Sequence, residues 1–388
     1  MLTVNKRTIV LFGGVNAGKS TLFNALIGQD SAIVSNIAGT TTDINIKAAE
    51  LIGYGPVTFI DTAGLGDKTE LGGRRMEKAL RALERADIAV HVVADGASFG
   101  ERAALPFEVP VITVITHCES PRPAEGNTVF LCNADSEGIA ALGDRIVELL
   151  HRLDSSEREL LMEGLVPAGG RALLVMPMDS EAPAGRIILP QVRVLRDCID
   201  LELPALAVNE KALPAALKDF TPDIVVTDSK IFALVASLLP PDMPLTSFSI
   251  LMARGFGGFM QMLEGMDTIK TLKDGDRVVI LEGCTHTKNH EDIGTVIIPK
   301  AIKKLSGKNI EFDHLYGYDF PAEPQKYALA VQCGGCMQPR RTLQNRLARM
   351  KALGLPVTNY GLVLAEAAGI LDRAAGPVIN AGGNGSEN

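Results

Sequence analysis

The stretch TIVLFGGVNAGKS, residues 8–20, decides the fold. Its opening TIVLFG is an apolar run of strand character, and GGVNAGKS (13–20) fits G-x-x-x-x-G-K-[ST]. KSTLFNALIG (19–28) continues as a helix. Strand, glycine-rich loop and helix N-terminus in that order make a cradle for phosphate groups. The glycines let backbone N–H groups curl around the anion, the lysine reaches the terminal phosphates, and the serine hydroxyl binds Mg2+. Gly13, Gly14, Asn16, Ala17, Gly18, Lys19, Ser20 and Thr21 are the candidate residues, with Lys19 on the β- and γ-phosphates and Ser20 on the metal.

Outward from that loop the pattern alternates. Strand-like runs are VTFID (57–61), DIAVHVVAD (87–95), VPVITVIT (109–116) and TVFLC (128–132). Helix-like runs are RRMEKALRALERA (74–86) and GIAALGDRIVELLHRL (138–153). Such alternation implies crossover connections and a mostly parallel sheet. The polar DSSEREL (154–160) reads as a link. Beyond it, RALLVMPMD, ALAV (205–208), DIVVTDS (223–229) and LTSFSI (245–250) read as strands, and KIFALVASLL (230–239) as a helix. RVVILEGC, TVIIPKAIKKL, YALAVQCGGC and the helix PRRTLQNRLARMKALG follow. The expected fold class is α/β: an N-terminal P-loop domain with a mostly parallel sheet over residues 1–165, then two smaller α/β domains over 166–264 and 265–388. No internal repeat of fixed period is evident.

Composition narrows the function. The 388 residues are 46% hydrophobic and 22% charged, ample for several cores. Lys and Arg number 38 against 46 Asp and Glu, so a broad basic surface for nucleic acid is not expected. No apolar run reaches the roughly 18 residues of a membrane span. The N-terminus leads into the phosphate loop rather than a cleavage site, so the cytoplasm is the expected compartment. There the six cysteines should be thiols or metal ligands rather than disulfides.

Two more motifs follow in order. Gly39-Thr40-Thr41-Thr42-Asp43 lies in the first long loop, and Asp61-Thr62-Ala63-Gly64 ends a strand. With the phosphate loop they resemble the GTPases of the TrmE-Era-EngA type over residues 8 to about 153. The resemblance implies GTP and GDP as ligands and makes Thr41 the switch I ligand of Mg2+. Asp61 holds the ion through water, and the Gly64 N–H senses the γ-phosphate. Asn16 becomes a ligand for a monovalent cation, potassium. Leu65 stands where Ras-type GTPases place a water-orienting Gln, so slow hydrolysis aided by the cation is expected. Glu70 reads either as a bridge to that water or as a solvated carboxylate. The guanine-reading segment departs from [NT]-K-x-D: it is Thr116-His117-Cys118-Glu119, with Asn133-Ala134 supplying the last base contacts. Glu119 keeps a carboxylate for the guanine N–H donors but is one methylene longer than Asp, and His117 lacks the lysine stem.

Cys284-Thr285-His286 and Cys333-Gly334-Gly335-Cys336 each follow a strand-like run. Three thiols and one imidazole fit two metal sites. With His286 they close a tetrahedral zinc site. Alone, the thiols hold a 4Fe–4S cluster with one iron open. Spacing does not choose between them, and the third reading is three buried thiols without a metal. Cys118, Cys132 and Cys198 read as packing residues. His91, His151, His290 and His314 lack ligand-like spacing, while His290 and Asp292 sit close enough to Cys284 to support its ligands.

The whole pattern resembles HydF, the family of GTPase maturases of FeFe-hydrogenases. The resemblance rests on NAGKSTLFNAL (16–26), GRIILPQVRVLRDCID (185–200), TSFSILMARG (246–255), CTHTKNHEDIG (284–294), CGGCM (333–337) and TNYGLVLAEAAGIL (358–371). It implies a carrier that receives a diiron precursor from radical SAM maturases (HydE- and HydG-like) and delivers it to apo-FeFe-hydrogenase, with GTP hydrolysis as a switch. It makes Cys284, Cys333 and Cys336 the 4Fe–4S ligands, His286 a possible fourth, and the middle domain a homodimer contact. The apolar, Met-rich ILMARGFGGFMQML (250–263) reads as a core helix or as that contact. Gln332 stands where the family has His before C-G-G-C. The alternatives are an RNA- or ribosome-associated GTPase with a structural zinc domain, for which PRRTLQNRLARMK (339–351) is the best basic stretch although it reads more simply as a solvated helix face, and a redox-sensing iron–sulfur GTPase.

Overall fold

A computed structural model describes residues 7–28, 35–36, 44–64, 70–96, 109–120, 122–123, 125–132, 136–156, 161–177, 187–283 and 292–383. The chain divides into two compact units, residues 1–158 with 339–345, and residues 159–338 with 346–388. Among the described residues no helix is long and apolar enough to cross a membrane.

The first unit is built on strands β1 (Arg7–Gly13), β2 (Ser35–Asn36), β3 (Ile44–Leu51), β4 (Gly55–Thr62), β5 (Ile88–Ala94), β6 (Val111–Thr116) and β7 (Thr128–Leu131). They lie in the order β2-β3-β4-β1-β5-β6-β7. β4, β1, β5, β6 and β7 are parallel. Helices α1 (Lys19–Gly28), α2 (Glu70–Leu83) and α3 (Ser136–Ser156) belong to the unit. Strand alternation sorts β1 between two cores. Ile9 and Leu11 join Leu22, Phe23 and Leu26 of α1 and Leu142 and Ile146 of α3. Val10 and Phe12 join Ala79, Ala82 and Leu83 of α2. Burial on both faces makes TIVLFG uniformly apolar rather than alternating.

β2 and β3 are antiparallel to their neighbours. The hydrophobic pattern does not announce them. β3 carries exposed Asn45 and Glu50 and buries only Ala48 and Ala49, so it lacks the apolar run of the inner strands.

The second unit holds two four-stranded sheets, both fully parallel. One contains β8 (Ala172–Val175), β9 (Ala205–Val208), β10 (Ile224–Thr227) and β11 (Leu245–Ser247) in the order β11-β10-β8-β9. The other contains β12 (Arg277–Glu282), β13 (Glu311–Tyr316), β14 (Leu329–Gln332) and β15 (Val357–Asn359) in the order β13-β12-β14-β15. Read from its first strand, each sheet places the second strand on one side and the third and fourth on the other. The two modules therefore share one topology.

Sequence fragments follow that likeness. Ile188-Leu189-Pro190 opens the helix Leu189–Asp200, and Ile297-Ile298-Pro299 opens the helix Ile298–Ser306. Leu245-Thr246-Ser247-Phe248 matches Val357-Thr358-Asn359-Tyr360, and in each the third residue caps the next helix. Ser247 Oγ accepts from Ile250 N at 3.2 Å and Asn359 Oδ1 accepts from Leu362 N at 2.8 Å. The expectation of no internal repeat concerned a fixed period. The likeness here is carried by topology and caps, because the intervening loops differ in length.

Three local readings change. LTSFSI is strand only to Ser247; its N-cap turns Phe248 into a helix. ILMARGFGGFMQML forms the ends of two helices, Phe248–Gly255 and Phe259–Glu264, broken at Gly257, whose φ is +77°. Ile250, Leu251, Met252, Phe256, Phe259 and Met262 are buried, so the segment packs within the unit. The helix Arg340–Ala352 is not a solvated basic face, since Arg346, Leu347 and Met350 are buried.

Gly265 joins two helices where they cross β15. A Cβ there would overlap the Val357 carbonyl oxygen. Gly265→Ala is expected to lower the stability of this unit by about 1–3 kcal/mol through forced backbone movement. Urea unfolding followed by circular dichroism measures it.

Candidate functional sites

The first unit places the phosphate loop between β1 and α1. Gly13, at φ +146°, lies where a Cβ would overlap the Val92 carbonyl oxygen, so β1 and β5 approach there only because residue 13 has no side chain. Asn16 and Gly18 also have positive φ, at 62° and 85°, and the loop closes with Ala17 N donating to Gly14 O. The buried Lys19 ammonium donates to the Gly14 carbonyl at 2.6 Å. Burial holds its pKa below the usual lysine value, against the pull of the Asp61 charge. Thr21 and Asn16 are exposed.

Ser20 Oγ donates to Asp61 Oδ2 at 2.7 Å. Burial raises the Asp61 carboxyl above its ordinary value, opposed by the Ser20 hydrogen bond and the Lys19 charge. Asp61 Oδ1 is buried without a hydrogen-bond partner. A buried carboxylate oxygen left open beside a hydroxyl suits a hard cation such as Mg2+. Gly64 lies against the loop, and a Cβ on it would fall 2.7 Å from Val15 Cγ2 and 2.9 Å from Val15 Cα.

The base-reading segment follows β6. Thr116 Oγ1 donates to Ala17 O at 2.8 Å and Val93 O at 3.2 Å, so its hydroxyl ties the segment to the phosphate loop. His117 stands exposed at φ +60°, its Nε2 3.8 Å from where a Gly18 Cβ would be. Glu119 is exposed and Cys118 is buried. Thr41, Leu65, Asn133 and Ala134 lie outside the described residues, as does the side chain of Glu70. His91 is structural: it stacks on Phe12 with ring centroids 4.7 Å apart.

The second site belongs to the second unit. β12 stands between β13 and β14, so the chain leaves β12 to one side and returns on the other. Gly283 and the loop after β14 then flank a crevice at the carboxyl edge of the sheet, the usual ligand position in open parallel sheets. Gly283 follows β12, and Cys333-Gly334-Gly335-Cys336 follows β14. Cys284, His286 and His290 lie outside the described residues, among which no group of three His, Cys, Asp or Glu could hold a metal.

The Cys333 sulfur accepts from Gly283 N at 3.1 Å, Gly335 N at 3.4 Å and Gln332 Nε2 at 3.5 Å. Gly335 reaches it from φ +64°, which glycine adopts without strain. Burial pushes the Cys333 thiol up, while the two backbone N–H groups and the Arg346 charge draw it down. N–H groups converging on one sulfur suit a thiolate bound to metal.

A cleft of about 850 Å³, its open mouth included, adjoins the two thiols. Glu282 and Tyr360 line it from the thiol module, and Asp228, Ser229 and Ser249 from the other. Tyr360 Oη donates to Glu282 Oε1 at 3.2 Å. Burial raises the Tyr360 hydroxyl well above its ordinary pKa, reinforced by the Cys333 and Glu282 charges. Ser229 and Ser249 hydroxyls are buried without partners. Asp292 is an N-cap, accepting from Thr295 N at 2.7 Å. The sequence reading did not single out Glu282, Tyr360 or Arg346. The carboxylate ending the apolar run RVVILE was the available signal for the first.

Comparison with known proteins agrees with this division. Residues 8–117 match the family described as 50S ribosome-binding GTPase. The tRNA modification GTPase MnmE of Methylorubrum populi is 42% identical over 144 residues, 36% of this chain and 31% of that protein. The GTPase Der of Kosmotoga olearia is 42% identical over 90 residues, 22% of this chain and 20% of that protein. The chain thus spans less than a third of the length of either relative. The G domain of the T. maritima FeoB iron transporter covers 38% of this chain and 99% of its own, at 22% identity and a TM-score of 0.30, a slight likeness. Residues 161–257 match the Hydrogen maturase F dimerization domain and residues 260–377 the Hydrogen maturase F tetramerization domain. With these two domains spanning more than half of its length behind an N-terminal GTPase domain, the chain belongs to the hydrogen maturase F family.

Proposed function

We propose that this protein is a carrier for a diiron precursor that it delivers to apo-FeFe-hydrogenase, with GTP hydrolysis as its switch. The observation that carries the reading is the Cys333 sulfur, met by two backbone N–H groups and an amide at a strand-end crevice, within the family's own domains. Cys284, Cys333 and Cys336 would hold a 4Fe–4S cluster, which supplies an iron open to an exchangeable ligand. His286 is the candidate for that position. The adjoining cleft, with the Ser229 and Ser249 hydroxyls open, is the space for the cargo. The precursor comes from radical SAM maturases, and the exchange takes place in the cytoplasm.

In the GTPase domain, Lys19 neutralises the β- and γ-phosphates, and the loop N–H groups of residues 13–20 orient them. Ser20 and Thr41 would hold Mg2+, with Asp61 reaching it through water; the ion supplies charge neutralisation at the transferred phosphoryl group. Gly64 lies against Val15 of the phosphate loop, which leaves its N–H to contact the γ-phosphate. Hydrolysis is slow, because Leu65 cannot orient water, and potassium at Asn16 speeds it. Glu119 reads guanine, and the Asn133-Ala134 backbone supplies the last base contact. Homodimers form through the middle module.

The RNA-associated alternative is weakened by the inward turn of Arg346, which takes a cation from the best basic stretch.

The two chemistries should separate by substitution. Lys19→Ala is expected to reduce GTP hydrolysis at least 100-fold and leave iron content unchanged, while Cys333→Ser removes iron and leaves hydrolysis within twofold. Phosphate release and iron assays on the same samples test both, and iron loss from Lys19→Ala would contradict separable sites. Gly64→Ala should slow hydrolysis at least tenfold without unfolding the domain, read by the same assay with circular dichroism.

A further inference from the structure

Gln332 occupies the position before C-G-G-C and is 1% exposed. Its Oε1 accepts from Arg346 Nη1 at 2.9 Å. A guanidinium donates only, so the amide oxygen must face Arg346, and the amide nitrogen must face the other way. There Nε2 donates to Leu281 O at 3.3 Å and to Cys333 Sγ at 3.5 Å. The amide orientation thus follows from chemistry rather than from assignment.

Arg346 is itself fixed. It is 3% exposed, and its N–H groups also reach Gly317 O at 3.1 Å, Asp319 O at 3.3 Å and Gln338 Oε1 at 3.5 Å. The other module supplies a contrast. Thr227 holds the matching place at the end of β10 and donates to the Val175 carbonyl at 3.3 Å, as Gln332 does to Leu281. No thiol follows Thr227, and the next residues are Asp228 and Ser229.

We propose that Gln332 is a positioning residue rather than a cluster ligand, the last member of a fixed relay from Arg346 through Gln332 to the Cys333 sulfur that raises the reduction potential of the cluster. The inference rests on the three-cysteine reading above. The amide nitrogen has no lone pair to give iron, and the oxygen is taken by the guanidinium. Position 332 therefore leaves the open iron to another ligand. An N–H on sulfur with a guanidinium behind it withdraws electron density from the thiolate, which favours the form carrying one more electron.

The test uses the full chain reconstituted anaerobically with iron and sulfide, as wild type, Gln332→Leu, Gln332→Glu and Arg346→Lys. Reductive titration followed by electron paramagnetic resonance gives each midpoint at measured iron and sulfide content. Gln332→Glu keeps the side-chain shape and the contact to Arg346 but loses the N–H, which separates the hydrogen bond from folding. Both Gln332 variants are expected to keep their iron and to shift the one-electron equilibrium at least tenfold toward the oxidised cluster, about 59 mV. Arg346→Lys keeps the charge and should fall between wild type and those variants. Unchanged midpoints in both Gln332 variants would overturn the relay. So would loss of the cluster from Gln332→Leu with retention in Gln332→Glu, since that pattern marks a ligand. A wild-type protein that holds no iron–sulfur cluster refutes the three-cysteine reading itself, a result distinct from an intact cluster indifferent to Gln332.

Discussion

Each of the three sheets reverses its strand order once, and the loops with chemistry leave the carboxyl ends of the strands at that reversal. In the first sheet β1 lies between β4 and β5, and the phosphate loop follows β1. In the second, β8 lies between β9 and β10, and Asp228-Ser229 follow β10. In the third, β12 lies between β13 and β14, and Gly283 and the C-G-G-C loop follow them. Crossovers that diverge leave a crevice there, and backbone N–H groups just past the strand ends have no ladder partner. They are therefore available to an anion. In one unit they belong to the phosphate loop; in the other, those of Gly283 and Gly335 reach the Cys333 sulfur.

That shared constraint explains the conspicuous glycines. Gly13 lets β1 and β5 close beneath the phosphate loop, and Gly335 turns an N–H onto the Cys333 sulfur. It also explains the buried polar groups that the sites require. Asp61 and Ser20 pair beneath the phosphate loop, as Gln332 and Arg346 pair beneath the thiol loop. Each pair gives a hydrogen bond to a buried side chain, Asp61 in the first and Gln332 in the second, and breaking it would strand that buried polar group. The phosphate loop and the thiol loop lie in separate units.

Much of this was legible in the residues. The phosphate loop announces itself because strand, glycines, lysine and helix must occur in that order. The parallel strands β1, β5 and β6 are buried on both faces and so read as apolar runs. β3 was not legible, since a half-exposed strand beside β2 needs no such run. The twin modules were hidden for another reason: their likeness lies in strand order and helix caps, separated by loops of unequal length. Arg346 was misread because helical spacing gives a basic residue no reason to face inward. Its acceptors, Gln332, Gln338 and the carbonyls of Gly317 and Asp319, are distant enough in sequence that only the folded chain assembles them.

In the proposed role the thiol site serves a cargo rather than a purely structural metal. The most direct measurement loads the anaerobic, cluster-containing protein with a diiron precursor, removes unbound complex and mixes it with apo-FeFe-hydrogenase. The account predicts hydrogen evolution well above that of an unloaded control. No activation, with an intact cluster verified in the same sample, would contradict the carrier role and leave a GTPase that keeps its cluster for another purpose.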